Sequence, residues 1–276
     1  MEHKPSGSKL LSSVGAGLRL LKMFSADEPE LGITVLAKRL QVAKSTAHRL
    51  ASTLVAEGFL EQNPADGKYR LGLLLFSLGG LVRLRMEASE VSVPFLRAFC
   101  DQTGETVHLG VLLHTETRFE TLYVRNIESP HAIRPRSYLG VRMPAFCTCE
   151  GRVLLAFGSS AQEQQVLSLP LEPRTSSTVT DPQKLQSILE RIRAQGFALD
   201  DEESETGMRG IAAPVRDASS EVVAAVGLVG PVQRLNDERV AQYTPKLFET
   251  ALAISKGLGY NQPSGSLSLT VGKLRA

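Results

Sequence analysis

The chain has 276 residues, 42% hydrophobic and 22% charged, which is the length of two ordinary domains and the composition of a folded globular protein. It has no tryptophan and few aromatics, which argues against a carbohydrate-binding surface, and no apolar run long enough to span a membrane; its three cysteines, Cys100, Cys147 and Cys149, are too few for a disulfide framework. The net charge of +2 hides an asymmetry, because residues 1–80 carry ten Lys/Arg against seven Asp/Glu and the remainder twenty-one against twenty-two.

The opening MEHKPSGSKLLSSVG has no long apolar core of a secretory signal, so a cytoplasmic protein with no membrane partner is expected. Residues 1–8 read as a disordered start. Ser13 to Phe24 reads as a helix with Val14, Leu18, Leu21 and Met23 as its apolar stripe. After turn signals at Asp27 to Gly32, Thr34 is placed to cap a second helix, Val35 to Leu40, with Val35, Leu36 and Leu40 as buried candidates. A short turn at Gln41-Val42-Ala43 leads to a third helix from about Lys44 to Glu57, stopped by Gly58. Phe59-Leu60-Glu61 and Lys68-Tyr69-Arg70-Leu71 flank the turn signal Asn63-Pro64-Ala65-Asp66-Gly67 as a hairpin. Two helices, a turn, a third helix and a hairpin make a winged helix-turn-helix over 9–72.

A helical connector follows over 73–88, and a helix from Ser89 to Thr103 opens the larger part of the chain, 89–259. Strands are expected at Val107–His114, Arg118–Asn126, Ala132–Ser137, Gly210–Arg216 and Val222–Val229. Helices are expected at Gly151–Phe157, Ala161–Leu167, Asp181–Gln195 and Asp237–Leu258. The mixture predicts an antiparallel α+β sheet domain, with 260–276 as a flexible tail.

The stretch Leu31 to Ala56 carries Lys38, Arg39, Lys44 and Arg49 and no acid. Such a patch attracts phosphates, although charge alone equally describes one solvated helix face. On the third helix Ala47, Leu50, Ala51 and Leu54 share the inward face. Lys44, Ser45, His48 and Ser52 point outward, with Thr46, Arg49 and Thr53 at the margins. Helices of this kind read base edges in the major groove, and Lys38, Arg39, Lys68 and Arg70 could add backbone contacts. Lys38, Arg39, Lys44, Ser45, Thr46, His48, Arg49, Ser52, Lys68 and Arg70 are therefore the candidate contacts to double-stranded DNA.

In order, Leu36-Ala37, Lys44-Ser45-Thr46, His48-Arg49-Leu50, Gly58-Phe59-Leu60 and Tyr69-Arg70-Leu71-Gly72 resemble the N-terminal domain of IclR-type transcription regulators. A second stretch, Gly196 to Pro231, is similar to the C-terminal signature of the same family. It has a glycine–aromatic pair, an acidic cluster, Gly207-x-Arg209-Gly210, and strands ending in Ala213-Pro214 and Gly230-Pro231. Gly140 to Ala156 resembles the family's upstream segment, so the likeness runs over about residues 10–258.

The resemblance implies a GAF-like sheet domain flanked by helices, with a pocket for a small metabolite, often an organic acid. It places the effector-binding positions at Cys149, Glu150, Asp200, Met208, Gly210, Gly227 and Val229. It also implies a regulator, repressor or activator, of a catabolic operon. A homodimer or dimer of dimers on a palindromic operator is expected, since a two-fold protein matches a two-fold site. Several positions depart from the family pattern. Cys149 stands where alanine is usual, Glu150 where a small or apolar residue is common, Arg152 for lysine, and Gly227 and Val229 where serines offer hydroxyls. A carboxylate in the pocket disfavours a second anion, so a bulkier or less anionic ligand is expected, one offering Glu150 a hydroxyl or amine. The other reading turns Glu150 to solvent or pairs it with Arg152 or Arg142.

Cys147-x-Cys149 lacks zinc-site spacing and a second motif, so the cysteines are read as pocket wall and no metal or cofactor is expected. The run Asp200, Asp201, Glu202, Glu203 and Glu205 is read as a solvated loop, Asp200 excepted. No nucleophile–base pair, phosphate loop or dinucleotide motif stands out, so no catalytic residue is assigned. The rival reading is a small-metabolite enzyme with an N-terminal docking module.

Overall fold

The computed structural model describes residues 12–25, 27–83, 87–115, 117–135 and 139–261. The expected disordered start, and the expected tail from 262 on, lie outside the described residues. The chain divides into two compact units, one ending at residue 85 and one beginning at 86. Among the described residues no helix is long and apolar enough to cross a membrane.

In the first unit, α1 (Ser12–Leu21), α2 (Ile33–Leu40) and α3 (Lys44–Ala56) enclose Leu20, Leu31, Leu36, Ala51, Leu60 and Tyr69. The hairpin β1 (Leu60–Gln62) and β2 (Tyr69–Leu71) pairs Leu60 with Leu71. Leu31 exchanges two 2.9 Å backbone hydrogen bonds with Tyr69, which pins the segment before α2 to the wing. Then α4 (Leu73–Arg83) begins.

Three expectations fail here. On α1 the fully buried side chain is Leu20, while Val14 and Leu18 are more than half exposed. Period alone gave the stripe, and a ten-residue helix touching its neighbours near one end buries a narrower strip. At α2 the cap position is Gly32, with no side-chain hydrogen bond, so Thr34 caps nothing. Val35 is exposed, and Leu36 and Ala37 are the buried pair. The α3 expectation holds: Ala47 and Ala51 are fully buried, and Gly58 turns the chain with φ 75°.

The second unit is a six-stranded antiparallel sheet between two helical layers. Its elements are α5 (Glu87–Thr103), β3 (Thr106–Thr115), β4 (Arg118–Ile127), β5 (Arg142–Pro144), α6 (Cys149–Ala156), α7 (Ser160–Ser168), α8 (Pro182–Gln195), β6 (Ala198–Asp201), β7 (Met208–Arg216), β8 (Val222–Pro231) and α9 (Asp237–Gly257). The strand order is β5-β4-β3-β8-β7-β6. Alternation assigns the faces. Val107, Leu109, Ile211, Ala213, Val215, Ala224, Val226 and Leu228 turn toward α5 and α9, and Ala212 and Ala225 turn toward α6 and α8. Helix ends follow local chemistry: Asp181 accepts from the amides of Gln183 and Lys184 at the start of α8, and Gly196, with φ 82°, ends it.

The expected strand Ala132–Ser137 is absent over its described part, 132–135; the strand beside β4 is Arg142–Pro144. Asp201, read as part of a solvated acidic loop, ends the edge strand β6, Ala198–Asp201. Glu203 and Asp200 in that run are buried.

One close approach in the first unit allows a direct test. A Cβ on Gly72 would lie 3.0 Å from the carbonyl carbons of both Gly58 and Phe59, where only backbone could yield. Gly72→Ala should cost roughly 1–3 kcal/mol through overpacking. Thermal unfolding of the full chain reads it as a lowered midpoint; an unchanged midpoint contradicts the tight packing of the wing on α3.

Candidate functional site

On α3, Lys44, Ser45, Thr46, His48, Arg49, Ser52 and Thr53 are all exposed, opposite the buried Ala47 and Ala51. Because Ala43 at the cap offers no side-chain acceptor, the first-turn amides remain open to an external anion. Ser52 Oγ and His48 Nδ1 are 3.4 Å apart, one turn along the same outward face.

The cations sort into two groups. Among the described residues Lys38, Lys44 and Arg49 have no ion-paired acid. Arg39 grips Glu28 through both carboxylate oxygens at 2.8 and 2.9 Å, Lys68 meets Asp66 at 3.0 Å, and Arg70 lies 2.8 Å from Glu61. The Arg39 guanidinium holds the Glu28 carboxyl below its usual range. Any phosphate contact by Arg39, Lys68 or Arg70 competes with these carboxylates.

In the second unit the seven effector candidates converge where α6 lies against the sheet. Glu150, Asp200, Met208 and Val229 line a cavity of about 50 Å³, together with His108, Tyr123, Val141, Met143, Thr148, Ser204 and Glu205. Gly227 and Gly210 lie behind this lining. A Cβ on Gly227 would stand 2.5 Å from Glu150 Cδ, and one on Gly210 2.8 Å from Cys149 Sγ. The glycines are what allow α6 to sit so close.

Glu150 is 1% exposed and pairs with neither Arg152 nor Arg142. His108 Nδ1 donates to Oε1 at 3.2 Å, while the Cys149 thiol at 3.2 Å and the Tyr123 hydroxyl at 3.5 Å donate to Oε2. Burial pushes the Glu150 carboxyl up, but the hydrogen bond and charge of His108, helped by backbone and Cys149, bring it below the usual range, so it is ionised at neutral pH. Burial, and then Glu150, push the Cys149 thiol well above its ordinary value; Cys147 is pushed up to about 12. Both therefore stay protonated, the unreactive form.

Arg152 points away from the cavity. Its Nε donates to the Phe146 carbonyl at 2.7 Å, and its two terminal nitrogens reach the Glu203 carboxylate at 2.5 and 2.6 Å. The turn that presents Glu203 is shaped by Asp200, which accepts from the amides of Glu203 and Ser204. Burial raises the Asp200 carboxyl to about 6, against the lowering effect of those donors.

The sequence reading did not place His108, Tyr123 and Thr148 in the pocket. Alternation on β3, which sends Val107 and Leu109 to one face, puts His108 and Gly110 on the other and was the available signal.

A three-helix unit with an acid-free outward helix and a wing, joined to a sheet domain with a small polar cavity, defines a helix-turn-helix transcription regulator. Residues 13–64 match the model of the IclR helix-turn-helix domain and residues 82–256 that of the bacterial transcriptional regulator IclR C-terminal domain. The chain is 35% identical over 252 residues to the HTH-type transcriptional regulator XynR of Escherichia coli K12, covering 91% of this chain and 98% of that one. It is 33% identical over 251 residues to the glycerol operon regulatory protein of Streptomyces griseus, covering 90% and 97%. Among solved structures, a putative IclR regulator from Silicibacter superposes with TM-score 0.78 at 26% identity, covering 91% and 98%. An IclR homolog from Microbacterium hydrocarbonoxydans, complexed with 4-hydroxybenzoate, gives 0.75 at 29%, covering 90% and 99%. The chain belongs to the IclR family of bacterial transcriptional regulators.

Removing the Arg152 side chain would leave Glu203 buried without its partner. Arg152→Ala is expected to destabilise the second unit by about 3–5 kcal/mol in urea unfolding. A loss below about 1 kcal/mol would contradict a buried, fully bonded pair.

Asp200 supplies a pH test. Its folded value lies above its unfolded one, so the folded state holds a proton the unfolded chain has lost between about pH 4 and 6. Stability of the wild type relative to Asp200→Asn should therefore fall as pH rises through that window. A flat difference from pH 4 to 7 contradicts the raised carboxyl.

Proposed function

We propose that this regulator reads operator DNA through Lys44, Ser45, Thr46, His48, Arg49 and Ser52 of α3. Lys38 adds a phosphate contact, and Arg39, Lys68 and Arg70 contribute once released from their acids. The observation that carries this reading is the exposed face of α3, with two unpaired cations and no acid. On this reading 9–72 is the DNA-binding domain, 73–88 the connector and 89–259 the effector domain, whose pocket beneath α6 takes a small molecule that controls a catabolic operon. The relatives' names support that setting, one being the glycerol operon regulatory protein.

Self-association to a dimer, or a dimer of dimers, on a palindromic site is part of the reading. In support, Leu73, Phe76, Leu81 and Val82 of α4 are 60–84% exposed, an apolar surface that a second copy would cover. The enzyme alternative would need a nucleophile–base pair in the pocket, and the relatives' printed names are those of transcriptional regulators.

Lys44→Ala and Arg49→Ala should each weaken binding to the upstream intergenic DNA about tenfold. Each lost phosphate contact should reduce the slope of log K against log salt by about 1. Fluorescence anisotropy over a salt series measures both; affinities equal to wild type would overturn the assignment of α3.

A further inference from the structure

The two departures at positions 150 and 227 are one event in space. The Glu150 carboxylate occupies the volume that any side chain on Gly227 would fill, with a Cβ there 2.5 Å from its Cδ and 2.8 Å from its Cγ. Donors from three elements converge on it: His108 of β3, Tyr123 of β4 and Cys149 of α6. Three donors on one buried carboxylate are what a protein would offer an anionic ligand. Here the protein provides the anion itself.

The remainder of the cavity gives a second anion nothing to pair with. Among the described residues no lysine or arginine lines it, and its other charged walls are Asp200 and Glu205. The nearby guanidinium of Arg152 is spent on Glu203. What the walls offer are acceptors, the carboxylates of Asp200 and Glu205, and the hydroxyls of Ser204 and Thr148.

We propose that Glu150 is the specificity-determining residue of this pocket: a built-in carboxylate, seated over Gly227, that takes up the donors an anionic ligand would need and restricts the site to non-anionic molecules bearing hydroxyl or ammonium donors. This rests on the reading of the cavity as the effector pocket. It also revises the expectation that Glu150 itself awaits a ligand donor, since His108, Cys149 and Tyr123 already occupy it.

The test is chemical rescue of the full-length protein with acetate, against chloride at equal ionic strength. The wild type should show no acetate-specific rise in thermal midpoint. Glu150→Ala should melt lower and recover with acetate in a saturable way, with an apparent Kd at least about tenfold below any in the wild type. If the variant is recovered unfolded, acetate-dependent refolding that chloride does not support reads the same quantity. Adding Gly227→Ser to Glu150→Ala should refill the space and abolish the rescue, whereas Gly227→Ser alone should destabilise more than it does beside Glu150→Ala. An acetate response equal in wild type and Glu150→Ala, or none in either, overturns the proposal. Rescue by acetate, together with a panel of neutral polyols and amines none of which changes the affinity of the wild type for operator DNA, would instead leave Glu150's place standing and sink the effector reading of the cavity.

Discussion

A buried guanidinium organises the second unit. Taking an arginine out of water costs several kcal/mol unless every N–H finds an acceptor. Arg152, 1% exposed, finds them in the Phe146 carbonyl, the Leu199 carbonyl and both oxygens of Glu203. Those acceptors lie before α6, on β6 and in the turn after it, so satisfying one side chain fixes three segments. Glu203 also accepts from the amide of Val179, which ties in the chain ahead of α8. The carbonyls of Glu202 and Glu203 accept from Thr175 and Thr178, closing the same seam. With α6 held this way, Glu150, two residues back on the helix, faces the opposite side and meets β3 and β8.

The first unit was legible because its rules are local. Helical spacing placed Ala47 and Ala51 inward and His48 and Ser52 outward, and Gly58 ended the helix, all within 15 residues of chain. Local rules erred where a neighbour decides: nothing in the sequence of α1 says that Leu20 rather than Leu18 meets the core, and Gly32 rather than Thr34 sits at the start of α2. In the second unit the family motifs picked out four residues that line the cavity, Glu150, Asp200, Met208 and Val229, but pairing escaped the sequence. Arg152 and Arg142 are near Glu150 in the chain, whereas its partner His108 is 42 residues away. Likewise Glu203 looks like one of four solvated acids until a cation 51 residues distant claims it. Charge runs carry no mark of which member turns inward; only the strand β6, and the turn that Asp200 closes, decide that.

The same long-range logic relates the pocket to its occupants. A glycine on β8 and a glutamate on α6 each look like a loss or a gain of a functional group taken alone. In space they form one arrangement: Gly227 leaves room, and the Glu150 carboxylate that fills it accepts from His108, Tyr123 and Cys149. The arrangement fills the space above Gly227 with the Glu150 carboxylate, so packing is kept while a negative charge stands inside the cavity.

The cavity's size then constrains how a small molecule could act. Ordinary ligand pockets hold roughly 300 Å³ or more, and this one holds about 50 Å³. On the proposed reading, a ligand of ordinary size would have to displace lining residues, and so would favour an arrangement wider than this one. That difference in affinity is the quantity regulation requires, since a ligand indifferent to the two arrangements shifts nothing. The lining is not uniformly able to move. Glu150 and Thr148 belong to a helix whose start is fixed by Arg152, and His108 and Tyr123 belong to paired central strands. Ser204 and Glu205 sit on a turn held by hydrogen bonds to Asp200 and Arg174, and Met208 begins the strand that follows it. This turn also carries the partner of Arg152. On the proposed reading of the cavity as an effector pocket, displacing this turn would work against the same Arg152–Glu203 pair that orders α6.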